Sequence, residues 1–259
     1  NALLITIDSL RYDYFNEKYA KRTFEEVSNF IRFNNAISAG PATPPSFESI
    51  FTGNYWRTLE NDELGKRMMS NDFKKANYTT MANQTNTPLT TNSGFRKGFD
   101  FYEDTIVPWT GWDSKSTFTK LIEKLYYYYE GRPCLSAKDT TDKCLRLLDK
   151  YNSKYFFIWQ HYMNVHLPYF LKSNFNLIDK YRANKISNKA RKYPEEVTKK
   201  EHEYLIKAYE KEVDRLDIQL ARLFKELKEI LEIAVKYRNK LMNQIEKFFN
   251  NEEIEVIRV

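Results

Sequence analysis

The side chains best suited to chemistry fall in three stretches of the chain. The first is the apolar run Ala2-Leu3-Leu4-Ile5-Thr6-Ile7, which ends on Asp8-Ser9-Leu10-Arg11. A carboxylate at the end of a buried strand is costly unless it is paired, hydrogen-bonded or bound to a metal. Asp8 is therefore a candidate cation ligand, with a salt bridge to Arg11 or a cap on the following turn as the plainer alternatives. The second stretch runs from Gly40-Pro41-Ala42-Thr43-Pro44-Pro45-Ser46-Phe47 to Gly53. Its prolines halt regular structure over Gly40 to Pro45, and Ser46 is placed to cap a short helix bearing Phe47, Ile50 and Phe51. Gly53 suits the C-terminal end of that helix. Thr43 then sits in a tight loop before a helix N-terminus, where unpaired N–H groups and the helix dipole favour an anion. A hydroxyl held there can attack a phosphate or sulfate ester; the plainer reading is a proline-rich turn entering a capped helix. The third stretch is His161-Tyr162-Met163-Asn164-Val165-His166-Leu167-Pro168-Tyr169, with two of the chain's 3 histidines. Their spacing is not that of a zinc-binding histidine pair on a helix.

These residues need a scaffold, and the hydrophobic pattern predicts one. Residues 2 to 7 read as a buried parallel strand, and Tyr155 to Trp159 as a second that delivers His161. In open α/β sheets the ligand crevice lies at the carboxyl ends of such strands. The two are expected side by side and pointing the same way. Tyr78 to Ala82 is a third strand, leading into the polar loop Asn83 to Leu89. Gly94 to Asp104 reads as a turn and short strand packing two phenylalanines, and Phe33 to Ile37 as another short strand. Helices are predicted over Thr23 to Ile31 (Phe24, Val27, Phe30 and Ile31 inward), Asp62 to Ala76 (Leu64, Met68, Met69 and Phe73), Ser114 to Glu130 and Lys138 to Tyr151. Phe170 to Pro194 shows no clear period and reads as a lid or surface insertion. From Glu195 onward there is no glycine or proline. Apolar residues from Leu216 to Leu241 alternate spacings of four and three, the mark of an amphipathic helix. As one helix, Lys199 to Phe249 would run roughly 75 Å at about 1.5 Å per residue, so a break is expected near Asn239 or Asn243. Ile254 to Val259 reads as a last strand.

The order hydrophobic strand, Asp8-Ser9-Leu10-Arg11, then Thr43-Pro44-Pro45-Ser46 and Thr52-Gly53 resembles the sulfatase family of the alkaline-phosphatase superfamily. Gly94-Phe95-Arg96-Lys97-Gly98-Phe99-Asp100 and His166-Leu167-Pro168-Tyr169 match in the family's order, and Tyr209 to Leu223 is similar to the helix that follows. The resemblance covers about residues 1 to 225 and implies an α/β, alkaline-phosphatase-like domain over 1–225, incomplete at its end. Residues 226–259 form a helical segment and a terminal strand. It implies a metal-dependent hydrolase or phosphotransferase acting on sulfate or phosphate esters. Thr43 would be the nucleophile and Asp8 and Thr43 metal ligands. His166 would bind the anion or protonate the leaving oxygen, with a histidine bonded to a loop carbonyl as the alternative. His161 and Asn86 would contact the substrate. The cofactor would be a divalent metal: Ca, Zn, Mn or Mg.

The chain departs from the family in four places, one of them Phe47, which stands where the family has an arginine after the Pro-Ser pair. Ser9 replaces the second aspartate common in sulfatases, which weakens a multi-carboxylate site. Thr43 cannot become the formylglycine that Cys or Ser yields, so the match is to threonine-using members that act on phosphate esters. The downstream Asp-His-Gly motif is absent, and no histidine follows His202. With Asp8 and Thr43 alone a divalent ion would be held weakly. This 259-residue chain is accordingly expected to bind metal poorly and to hydrolyse esters little. The alternative is a degenerate member that binds or assembles through its long C-terminal helix.

Composition excludes other classes. A hydrophobic fraction of 42% supports a real core. The net charge of +6 suits an anionic ester, but the lysines are dispersed and no nucleic-acid-binding signature is present. Cys134 and Cys144 make no disulfide framework; free thiols are the first reading and a small closed loop the second. No apolar run is long enough to cross a bilayer. No targeting segment is visible, which favours the cytoplasm only slightly, since Asn1 stands directly on the first strand without a methionine.

Overall fold

Among the described residues four parallel strands make one sheet in the order first, fourth, second, third, so the last of these four in sequence lies near the middle. The structure, a computed structural model, describes residues 1–27, 31–55, 68–104, 134–151, 155–171 and 177–249. In chain order the main elements are β1 (Ala2–Ile7), α1 (Lys21–Glu26), α2 (Thr43–Thr52), α3 (Met69–Lys75), β2 (Thr79–Asn83) and β3 (Phe101–Glu103). There follow α4 (Ala137–Tyr151), β4 (Phe156–Tyr162), α5 (Leu177–Lys192) and α6 (Lys199–Phe249). The fold is α/β, with helices flanking the sheet and a long C-terminal helix. β1 and β4 run side by side as expected, with Ala2 opposite Phe157 and Ile7 opposite Tyr162.

Strand parity sets which side chains meet. Every residue of β4 is buried, as a central parallel strand requires. Alternate residues Phe157 and Trp159 face one side, where they pack with Phe47 and Phe51 of α2 and with Phe99. Phe156 and Ile158 face the other, against Met81, Cys144 and Leu148 and against Leu223 of α6. Truncating a ring such as Phe51, which is 2% exposed, to alanine would cost about 3–5 kcal/mol. His161 continues the Trp159 side and lies edge-on to Phe47, 5.0 Å between ring centres. The face that buries the aromatic core therefore also carries His161 toward α2.

α6 covers the opposite face through Val213, Leu216, Leu220 and Leu223, at helical spacing. Its buried Asp217 accepts hydrogen bonds from the backbone N–H groups of Arg22 and Thr23. Ala20 offers no side-chain cap to α1, so a carboxylate from a distant helix satisfies the donors left open at that N-terminus.

Several expectations change. α2 begins at Thr43, not after Pro45: the two prolines fall in its first turn, where a missing N–H leaves no intrahelical bond unmade. Ser46 is inside the helix, and its hydroxyl donates to the Gly40 carbonyl instead of capping. Gly53 ends α2 at φ 74°, the left-handed conformation glycine adopts freely. Phe33 to Ile37 is not a strand. Asn34 and Asn35 form a turn, and Phe33 and Ile37 are exposed with no sheet edge beside them. α1 stops at Glu26, and Ile31 is exposed rather than inward. Residues 177–192 form α5, where a lid without period was expected. Leu177, Ile178 and Tyr181 are exposed while Ala183 and Ile186 are buried, so apolar residues on both faces hide the period. α6 is continuous through Asn239 and Asn243, because nothing in it breaks the backbone ladder. Cys134 and Cys144 are both buried, with no disulfide between them, and burial pushes the Cys144 thiol up to about 12. The helices expected over Ser114 to Glu130 and the first part of Asp62 to Ala76, and the strand over Ile254 to Val259, lie outside the described residues.

Candidate active site

β1, β4 and β2 end at one crevice, and α2 points its N-terminus into it. Asp8 follows β1, with its backbone N–H donating to the Tyr162 carbonyl of β4 at 2.9 Å. Its carboxylate is the centre of the cluster. Thr43, the first residue of α2, donates from Oγ1 to Asp8 Oδ2 at 3.0 Å. Asn86, in the loop after β2, donates from Nδ2 to the same oxygen at 2.8 Å. Ser9 donates from Oγ to Oδ1 at 2.8 Å. His161 Nε2 lies 3.8 Å from Asp8 Oδ2 and 3.4 Å from Asn86 Nδ2. The salt bridge from Asp8 to Arg11 does not form: Arg11 pairs with Asp13 at 2.6 Å.

His161 is fully buried, and burial pushes its pKa down to about 4 against the opposing pull of Asp8. It is neutral at pH 7 and serves as a polar wall rather than a cation. Thr6 Oγ1 lies 2.8 Å from its Nδ1 and accepts from Trp159 Nε1 at 2.9 Å, which fixes the ring plane. His166 behaves differently. It is exposed, and its Nδ1 donates to the Leu167 carbonyl at 2.8 Å, so Nε2 is the nitrogen left for solvent or substrate. The loop-carbonyl bond and an outward Nε2 thus coexist in one side chain.

The anion site expected at the α2 N-terminus is narrower than the sequence suggested. Pro44 and Pro45 have no N–H, and the Ser46 N–H bonds the Ala42 carbonyl at 3.1 Å. Only the Thr43 N–H remains in that turn to meet an anion, with the helix dipole behind it.

The described residues do not by themselves make a metal site. Among them no group of three or more His, Cys, Asp or Glu side chains gathers around one point. Asp8 is the one carboxylate in the cluster, and its oxygens are bonded directly to Ser9, Thr43 and Asn86. A divalent ion needs more fixed anionic ligands than this set provides.

Two contributors were not singled out from sequence. Tyr209 on α6 donates its hydroxyl to the Ser9 carbonyl at 3.1 Å and accepts from the Arg11 N–H at 2.8 Å, clamping the loop that carries Asp8. Ser9 sits at φ 60°, a left-handed conformation that only such bonds hold in a non-glycine residue. Gln84 accepts from the Asn86 N–H at 2.6 Å and so sets the loop that presents Asn86. A tyrosine opening an apolar helix stripe was legible; its reach across 200 residues was not.

A parallel sheet flanked by helices thus gathers a threonine hydroxyl, a carboxylate, an amide and a buried histidine at the carboxyl ends of its strands. The sulfatase family model matches residues 1–232, and the chain belongs to that family of ester hydrolases. Among solved structures it is similar to a protein of the alkaline phosphatase superfamily from Vibrio parahaemolyticus, with TM-score 0.57 and 15% identity over 88% of this chain. It is also similar to a phosphonate monoester hydrolase from Silicibacter pomeroyi, with TM-score 0.55 and 17% identity over 89% of this chain. The chain spans 50% of the first of these and 59% of the second. No curated protein matches it in sequence. Among the described residues no helix is long and apolar enough to cross a membrane.

Proposed function

We propose that this chain carries the nucleophile-bearing part of a metal-dependent hydrolase or phosphotransferase for phosphate or sulfate esters, with Thr43 as the attacking group. The observation that supports this most is the hydrogen bond from Thr43 Oγ1 to Asp8 Oδ2 at a helix N-terminus. It gives the hydroxyl proton an acceptor and aims the oxygen into the crevice. In the reaction, the Thr43 Oγ–P (or S) bond forms as the bond to the leaving oxygen breaks, and the hydroxyl proton passes to Asp8. The leaving oxygen takes a proton from Nε2 of His166 with its ring protonated on both nitrogens, Nδ1–H staying on the Leu167 carbonyl. Water then cleaves the threonine ester, or a second alcohol accepts the group. Asn86 donates toward the ester oxygens, and buried, neutral His161 keeps Asn86 and Asp8 in place. Because a threonine cannot yield formylglycine, phosphate-type esters are favoured. Metal dependence, in this reading, draws on ligands beyond the described residues in addition to Asp8 and Thr43.

The test is a panel of 4-nitrophenyl phosphate, bis(4-nitrophenyl) phosphate and 4-nitrophenyl sulfate, with Ca, Zn, Mn or Mg, on the full-length protein and on this chain. Turnover is expected in the longer form, with Thr43→Ala abolishing it and Thr43→Ser keeping a measurable fraction. Undiminished turnover in Thr43→Ala would overturn the assignment. A second reading, a degenerate member that binds without turnover, is favoured by the single carboxylate. It predicts no activity from any form of the protein under any of the four metals.

A further inference from the structure

A groove of about 300 Å³ opens beside the Asp8 cluster, with Ser9 shared between them. His166, Leu167 and Tyr169 form one wall; the other is a face of α5 with Ser187, Asn188 and Arg191. This volume accommodates a small ring or a short polyol beyond the reacting group. Its chemistry is one-sided. No aspartate or glutamate lines it. Arg191 pairs with no carboxylate among the described residues; its nearest polar partner is Asn188 Oδ1, at 3.4 Å. Ser187 is 5% exposed, and its hydroxyl has no hydrogen-bond partner among the described residues. A buried hydroxyl without a described partner and a guanidinium without a described carboxylate, in one groove wall, are features that a ligand with acceptor oxygens would satisfy. Arginine suits a carboxylate or phosphate best, because its planar fork matches two oxygens at once.

We propose that this groove is an anion subsite, and that the ester handled at Thr43 carries a second negative charge on its alcohol portion. Arg191 binds that charge, with Asn188 and Ser187 completing the contacts. This rests on Thr43 and Asp8 holding the ester end. α5 would thus select the substrate rather than merely cover the domain.

The probes are phenyl phosphate, 4-carboxyphenyl phosphate and benzoate, titrated calorimetrically into the 259-residue chain. They carry a charge at the ester end, at both ends, and at the second end alone. The doubly charged ester is expected to bind at least about tenfold tighter than phenyl phosphate, a difference of about 1.4 kcal/mol. Arg191→Gln should remove that preference and benzoate binding while leaving phenyl phosphate unchanged. Arg191→Lys should restore part of it. Ser187→Ala should weaken both carboxylated probes. Thr43→Ala should leave benzoate untouched. Equal affinity for the two esters, or a preference that survives Arg191→Gln, would overturn the subsite. Benzoate binding that depends on Arg191, without phenyl phosphate binding, would sustain the subsite and count against the ester site instead. Binding of none of the three would overturn the subsite.

Discussion

Tyr209→Phe removes one oxygen and should loosen the loop that holds Asp8 and Ser9. The ring itself stays: it packs edge-on against Tyr14 at 5.0 Å and Tyr169 at 5.2 Å, and these contacts need no hydroxyl. Burial raises the phenol's pKa, so the group keeps its proton and is both donor and acceptor. Without it the Arg11 N–H and the Ser9 carbonyl lose their partner. Each is only partly screened from water, so the cost is about 1 kcal/mol apiece, about 2 kcal/mol together. For a chain of this size that lowers Tm by roughly 4–8 °C. Function should suffer more than stability suggests. The lost clamp lets Ser9 leave its left-handed conformation and carries Asp8 with it, and a displacement of about 1 Å at reacting groups costs about a hundredfold in rate. The assays are thermal unfolding followed by circular dichroism, and kcat of the active form. A Tm within about 1 °C of the parent, with kcat unchanged, would show that the clamp positions nothing.

Three other outcomes are expected. His161 is neutral in the fold and takes a proton more readily when unfolded, so stability should rise with pH between about 4 and 6.5, by up to about 3 kcal/mol; urea midpoints measured across that range check it, and His161→Gln should flatten the profile. At the start of α6, Thr198 and Glu201 bond each other's backbone N–H groups, and Lys189 of α5 joins the Glu201 carboxylate at 2.9 Å. Thr198→Ala should cost about 1 kcal/mol, read as a Tm lower by roughly 2–4 °C. Asn77 holds φ 61° in the exposed turn before β2, so Asn77→Ala should destabilise by about 1 kcal/mol and Asn77→Gly should not, by urea denaturation.

The strands were legible where burial is two-sided. Ala2–Ile7 and Phe156–Tyr162 carry apolar side chains on both faces, as strands of a parallel sheet covered by helices do; β4 is central and fully buried, whereas β1 stands at the edge of the described sheet and is half-buried. The nearness of Thr43 to Asp8 was legible only through the family resemblance, which has both reach one cation; the segment before Thr43 is a turn and not the strand expected there. Three features were not. The start of α2 was hidden because prolines break helices inside them but open them at the first turn. α5 was hidden because its exposed Leu177, Ile178 and Tyr181 spoil the pattern of its buried face. The Tyr209 clamp and the Asp217 cap join residues almost 200 apart in sequence, and no local pattern encodes such pairs.

The placement of β4 between β1 and β2 bears on how the chain is made. Among the described strands β1 pairs with β4 alone, through partners such as Ala2 and Phe157, so it waits for a strand made much later in synthesis. At about 5–20 residues per second, the ribosome takes on the order of 10–30 s to bring β4 out after β1. β2 and β3 can associate in that interval, but Leu3, Leu4 and Ile5 have no ladder to join and present an open apolar edge. The nascent protein is therefore a natural client for a holding chaperone until residue 162 has cleared the exit tunnel. Any product truncated before Phe156 leaves that edge permanently bare, and is marked for aggregation or degradation rather than for partial activity.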